Sequence, residues 1–259
     1  ALLAIDDADL HGDISEDLID RMIETSGLSE LETTARLVVD AGSRLKIWSK
    51  IGQELQDKGY VAQADEAFVQ VRFAAAESDD PSDLARAAEA FARSGRVAAA
   101  EAILAAAEGA DAAPDRLDRA RAALAREFAR AGRNAEAREL IDRIGEQEQL
   151  DRALGDLAKG VARAGDLPEA RRLAGRISDA DRRNRTLRDL AKIQSSRGAL
   201  EDAAAVIAEI GESPAKAEAL AAYAEGLIEA DRAADATTAL EQAVALAGDE
   251  DARAATAQA

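Results

Sequence analysis

Apolar residues along this chain return at steps of three and four, the spacing of one helix face, and do not alternate as in a strand. Leu154, Leu157, Ala158 and Val161 fall on one such face, as do Leu187, Leu190 and Ala191. Beyond a turn glycine the stripe resumes. Ala137, Ile141 and Ile144 follow Gly132, and Ala203, Ile207 and Ile210 follow Gly198. Each such stretch predicts two amphipathic helices joined at a tight turn, where glycine takes the left-handed conformation that ends the first helix.

The pattern has a period. The triplets Ile144-Gly145-Glu146, Ile177-Ser178-Asp179 and Ile210-Gly211-Glu212 recur every 33 residues. A turn residue with alanine five positions later recurs as Gly59/Ala64, Gly95/Ala100, Gly132/Ala137, Gly165/Ala170, Gly198/Ala203 and Asp231/Ala236, at spacings of 36, 37, 33, 33 and 33. Six units of one helical hairpin each are therefore expected. A single amphipathic hairpin cannot bury its apolar face alone, so the units are expected to stack into an all-α solenoid.

Composition then acquires a mechanical meaning. Alanine fills 66 of 259 positions, and Ala88, Ala125, Ala158, Ala191 and Ala224 each stand seven residues before a turn residue, with Gly52 at that place in the first unit. Alanine is the best helix former, and its small side chain lets neighbouring hairpins approach closely. Pro81, Pro114, Pro168 and Pro214 lie near expected helix starts, where a missing amide is harmless. Asp80 and Ser213 stand just ahead of two of them as expected capping side chains. Trp48, Phe68, Phe91, Phe128 and Tyr223 fall on the apolar stripe and read as core.

Trp48-x2-Ile51-Gly52-x2-Leu55, followed by Gly59, Ala64, Phe68 and Val71, resembles the tetratricopeptide-repeat pattern. In the later units the small residue, the turn glycine and the following alanine persist, while Leu154 and Val161 replace the tryptophan and tyrosine. The resemblance covers residues 43–248 and implies a right-handed α-solenoid of about six stacked antiparallel hairpins. On this reading residues 1–14 form an acidic N-terminal segment and residues 15–42 a capping helical hairpin. Leu18, Met22 and Ile23 come before the turn at Gly27, and Leu31, Ala35, Leu37 and Val38 after it. Residues 249–259 read as a flexible or helical tail.

The formal charge of −18 is unevenly spread. Residues 1–40 carry −9, residues 41–149 carry −4, residues 150–200 carry +5 and residues 201–259 carry −10. Thirteen, ten, six and two residues before each turn fall on one stripe, opposite the apolar one at 100° per residue. That stripe holds Arg119, Arg126 and Arg130, then Arg152, Lys159 and Arg163, then Arg185, Arg188 and Lys192. In the last unit Glu218, Glu225 and Glu229 replace them. In the resembled family the first helix of each hairpin lines the concave surface, which implies a basic groove for an acidic segment of a partner protein. Arginine suits that task because its planar fork binds carboxylates in a bidentate manner. The same residues also read as a solvated face in which Asp118, Glu127, Asp151 and Asp189 serve as local partners, worth about 0–1 kcal/mol per exposed pair.

Other chemistry is thinly represented. With no cysteine and one histidine, His11, disulfides, thiolate metal sites, cysteine nucleophiles and most histidine catalysis are excluded. No phosphate-cradling loop, H-E-x-x-H or G-x-S-x-G is present, and the expectation is a protein that is not an enzyme and needs no cofactor. The acidic balance argues against nucleic acid as a partner. Asp7, Asp9 and Asp13 resemble the start of a calcium loop, but the place of its bidentate glutamate is Leu18. The alternative reading of Asp13 and Glu16 is a helix capping box.

No segment approaches the ~18 apolar residues that a membrane span needs. The start, Ala1-Leu2-Leu3-Ala4-Ile5, lacks the basic leader and full apolar segment of a signal peptide. An excess of arginine over lysine, 27 to 6, reads as GC-rich bacterial coding. The leading functional expectation is a monomeric protein-interaction scaffold, periplasmic or envelope-associated in preference to cytoplasmic. The alternative is a ligand-binding or transport accessory protein of the bacterial envelope that holds a small apolar molecule, of lipid or sterol type, inside the superhelix.

Overall fold

A computed structural model describes residues 32, 33, 35, 36 and 38–257, with side chains as far as residue 247. The candidate calcium residues Asp7, Asp9 and Asp13, and most of the hairpin expected over 15–42, lie outside the described residues. The described residues are all-α, with twelve helices and no strand among them. In chain order they are α1 (Ala41–Asp57), α2 (Val61–Glu77), α3 (Pro81–Arg93), α4 (Val97–Gly109), α5 (Pro114–Arg130) and α6 (Asn134–Ile141). There follow α7 (Gln147–Ala164), α8 (Leu167–Gly175), α9 (Ala180–Ser196), α10 (Leu200–Ile207), α11 (Pro214–Glu229) and α12 (Ala233–Ala257).

The turns between paired helices fall where the glycines stand. Gly59, Gly95, Gly132, Gly165 and Gly198 all have φ between +73° and +99°, and Asp231 takes the same left-handed region at +57°. Aspartate is among the few residues with a side chain that tolerate this conformation. At the α7–α8 turn the reversal is closed by Gly165 N–H donating to the Ala162 carbonyl and Asp166 N–H donating to that of Val161, which satisfies two orphan carbonyls of the helix end. Pro81, Pro114 and Pro214 open their helices and Pro168 is the second residue of its own. Asp80 caps α3 by accepting from the Ser82 amide at 2.8 Å. Ser213 departs from expectation: its hydroxyl donates to the Gly211 carbonyl at 2.9 Å and makes no cap bond to α11. The serine side chain is thus spent on the preceding turn, and the fixed φ of Pro214 starts the helix without it.

The chain forms two compact units, residues 1–124 and 125–259. In the first, α1 packs on α2, α3 on α4, and α3 also lies against both α1 and α2. In the second, α7 pairs with α8, α9 with α10 and α11 with α12, while α9 lies between α7 and α11. Each of α6, α8 and α10 also touches the helix that follows it. Helices one or two steps apart along the chain thus supply the packing in each unit.

Buried alanines recur at fixed places in these helices. Ala64, Ala100, Ala137, Ala170, Ala203 and Ala236, five residues past a turn, are all buried, as are Ala88, Ala125, Ala158, Ala191 and Ala224, seven before one. Gly52 occupies the equivalent place in α1, where a Cβ would meet the Phe68 ring at 2.8 Å. Leucine, isoleucine and phenylalanine fill the space around these points, with Phe68 and Phe91 edge to face at 5.2 Å between centroids. Trp48 and Phe128 are buried as expected, whereas Tyr223 is only half-buried, at a place where Leu157 and Leu190 are enclosed.

Of the glycines in the second unit, Gly160 on α7 stands tightest against backbone, that of α5. A Cβ at Gly160 would fall 2.6 Å from the Ala129 carbonyl oxygen, a backbone atom that cannot swing aside. Gly160→Ala is therefore expected to destabilise the protein by about 1–3 kcal/mol, the usual cost of overpacking. Gly175→Ala, at a helical position with open space around the new methyl, should shift stability by less than about 1 kcal/mol and in the favourable direction. Urea unfolding midpoints of the two variants test the contrast.

Candidate functional site

The basic stripe lies on α5, α7 and α9. Arg119, on the part of α5 that belongs to the first unit, is exposed, with no carboxylate in ion-pair reach among the described residues. The other eight residues belong to the second unit. Their helices are held together by a bond set that begins with a buried carboxylate. Asp151, the fifth residue of α7, is 2% exposed. It accepts from the Ser178 amide at 3.1 Å, the Asp179 amide at 2.9 Å and Gln147 Nε2 at 2.7 Å. Asp179 in turn caps α9 by accepting from the Arg182 amide at 2.6 Å. The start of α9 is thereby tied to the start of α7. Asn184 stands 33 residues after Asp151 and accepts, more weakly, from the Gly211 amide ahead of α11 at 3.4 Å. Burial pushes the Asp151 carboxyl up, but the Asp179 and Ser178 amides, with Gln147 and the charge of Arg182, outweigh it and hold it below its ordinary value.

Across these tied helices the stripe cations meet carboxylates of the neighbouring helix. Arg126 of α5 reaches Asp156 of α7 at 4.0 Å, and Lys159 of α7 reaches Asp189 of α9 at 3.9 Å. Arg188 and Lys192 of α9 share Glu218 of α11 at 3.0 and 3.2 Å. Within their own helices Arg130 pairs with Glu127 at 3.1 Å, Lys159 with Asp156 at 2.7 Å, Arg188 with Asp189 at 2.8 Å, and Arg152 with Glu148. Burial pulls the Arg188 guanidinium down, yet Asp189 and Glu218 beside it more than offset this and raise it. Arg163 and Arg185 differ from the rest. Both are exposed with no carboxylate in ion-pair reach among the described residues, and Arg185 donates only to the Asp181 carbonyl at 3.3 Å.

Asp118 and Asp151, expected as solvated partners of this stripe, are buried instead. Asp118 pairs with Arg121 at 2.9 Å, off the stripe, and Asp151 is turned to backbone amides. Glu127 and Asp189 do sit among the stripe cations. The Asp151 tie is the feature that the periodic reading missed. Its signal was present, because Asp118, Asp151 and Asn184 recur at 33 residues, one after another, fourteen positions before a turn.

A cavity of about 650 Å³ opens in the first unit, lined by Asp40, Arg44, Lys46, Glu77, Asp83 and Arg86 among others. Its lining is charged, where a site for an apolar molecule would present leucine and isoleucine. Asp83 is buried, pairs with Arg86 at 2.5 Å and accepts from the Ser78 hydroxyl at 2.6 Å. Gly42 makes room for it, since a Cβ there would lie 2.8 Å from the Asp83 carboxylate. Among the described residues no three metal-ligating side chains converge, and no helix is long and apolar enough to cross a membrane.

No protein-family model matches the chain, and no curated protein matches it.

Asp151→Ala removes the charged acceptor of two part-buried amide bonds at the start of α9, so it should cost about 1–3 kcal/mol at neutral pH. Because the folded protein holds this carboxyl below its ordinary value, its stabilising contribution is complete above the unfolded aspartate pKa of about 3.9 and fades as the pH falls further. Chemical denaturation from pH 7 to pH 3 should therefore show a shallower acid limb for Asp151→Asn than for the parent. Parallel curves would remove Asp151 from the acid response.

Proposed function

We propose that the chain is a non-catalytic interaction scaffold, a right-handed α-solenoid of about six tetratricopeptide-like hairpins that binds an acidic segment of a partner protein along the outward face of α7 and α9. The observation that carries this reading is the pair Arg163 and Arg185. They stand exposed, with no carboxylate in ion-pair reach among the described residues, on a face whose other cations are largely matched by Glu127, Glu148, Asp156, Asp189 and Glu218. The matched pairs keep the face ordered. The unmatched guanidinium groups remain for bidentate contacts with a carboxylate ligand. Recruitment of an extended or helical segment needs no catalytic group.

The test is fluorescence anisotropy of a labelled oligoglutamate peptide against the parent and Arg163→Glu/Arg185→Glu. Binding should weaken about tenfold in the variant, which corresponds to roughly 1.4 kcal/mol. It should also weaken as salt is raised, because the contacts are solvent-exposed. Equal affinity for parent and variant would exclude the face as the binding site.

A further inference from the structure

The helical pair α11 and α12 departs from the three before it at positions that the next hairpin covers in those. Three residues before the turn stand Ala129 in α5, Ala162 in α7 and Ser195 in α9, all buried. The next first helix lies directly on two of them: the Cβ position of Gly160 is 2.6 Å from the Ala129 carbonyl, and that of Gly226 is 3.2 Å from the Ser195 carbonyl. In α11 the same place is Ile228, 57% exposed. Nine residues after the turn stand Ile141, Ala174 and Ile207, all buried, whereas Leu240 of α12 is 43% exposed, with Val244 one helical turn further at 70%. Ala217 and Ala221, half-buried, complete the same side of α11.

Two substitutions set this face apart from those of α7 and α9. Ile228 replaces the small residue that permits close backbone approach. Ala217 stands fourteen residues before the turn, the place where Asp151 and Asn184 accept amides of the following segment. The tie therefore has no acceptor here. The face is not polar in compensation. It gains isoleucine, leucine and valine where burial has been lost.

The border of the face is acidic. Glu225 lies three residues before Ile228 and Glu241 three before Val244, so these two carboxylates neighbour the apolar positions on the helix surface, and Glu229 lies one turn beyond Glu225. All three are exposed, with no cation in ion-pair reach among the described residues. Residues 201–259 carry −10 and residues 1–40 carry −9, so a second copy of this chain would bring acid against acid at either end. An apolar strip bordered by uncompensated carboxylates matches one occupant in shape and charge.

We propose that the face of α11 and α12 bearing Ile228, Leu240 and Val244 docks a cationic amphipathic helix of a partner protein, whose apolar stripe covers these three residues and whose lysines or arginines meet Glu225, Glu229 and Glu241. This surface borders the α7–α9 face, whose stripe Glu225 and Glu229 continue on α11 with opposite charge, and separate variants test the two proposals.

The probe is a synthetic Leu/Lys peptide of about 18 residues with leucine at helical spacing, long enough to become helical on a surface. A shuffled peptide of the same composition keeps its charge without the apolar stripe, and a Leu/Glu peptide keeps the stripe with the charge reversed. Calorimetric titration of the parent should show the Leu/Lys helix binding and the other two binding at least about tenfold more weakly, because hot-spot contacts need both face and charge. Ile228→Gln/Leu240→Gln, at exposed positions that circular dichroism should show leaves the helices intact, should weaken the Leu/Lys helix by a similar factor. Glu225→Gln/Glu241→Gln should weaken it less and flatten its salt dependence. Val69→Gln/Phe73→Gln, on exposed apolar positions of α2, should leave it unchanged. The proposal is overturned if the Ile228/Leu240 variant binds like the parent, if the shuffled or Leu/Glu peptide binds as tightly, or if sedimentation shows parent self-association that this variant abolishes.

Discussion

Helices here approach one another at points where only alanine, serine or glycine can stand, and the rest of the architecture follows from that distance. The alanines five past and seven before each turn are enclosed, and at α5–α7 the gap is so small that Gly160 faces a carbonyl with no room for a methyl. Such contacts remove water from both backbones and let larger side chains such as Leu157, Ile177 and Leu190 meet around them at interior density. They also explain the composition. A quarter of the chain is alanine because the hairpins need small residues inside and good helix formers outside, and one residue type meets both needs.

Once helices are set so close, the charged groups on their outward sides fall within reach of one another. Lys159 meets Asp189, and Arg188 and Lys192 meet Glu218, because neighbouring first helices lie side by side. Exposed pairs of this kind contribute little individually. Their larger effect is to neutralise most of the stripe, so that a segment with a net positive charge presents few free cations. Arg163 and Arg185 stand out against this matched surface. The buried Asp151 differs again: its partners are backbone amides, and its value lies in fixing where α9 begins relative to α7.

The contrast between successive hairpins gives the terminal pair its meaning. Positions filled by Ala162 and Ser195, or by Asp151 and Asn184, serve the hairpin that follows. At the corresponding places in α11, Ile228 is exposed and Ala217 offers no acceptor, and Glu225 and Glu229 have no cation in ion-pair reach among the described residues. A departure from the local rule of packing small against small is most informative where the neighbour changes, because burial and charge are then free to suit a different molecule.

Periodicity alone determined the helical class, the turns at Gly59 through Asp231, the helix starts at three of four prolines and the enclosed alanines. These depend on local backbone preference and on which side of a helix a residue occupies, and both are written in spacing. The side of Asp151 was equally readable, but its partners were not, since Ser178 and Asp179 lie some 27 residues away and become acceptors' neighbours only after α8 folds back. The same limit applied to Ser213, whose hydroxyl turned to Gly211, and to the stripe cations, whose carboxylates come from adjacent helices. Spacing specifies a residue's own helix face. Which atoms meet across helices, and so which charges stay free and which apolar side chains stay uncovered, is decided only when tertiary packing sets the distance and register between them.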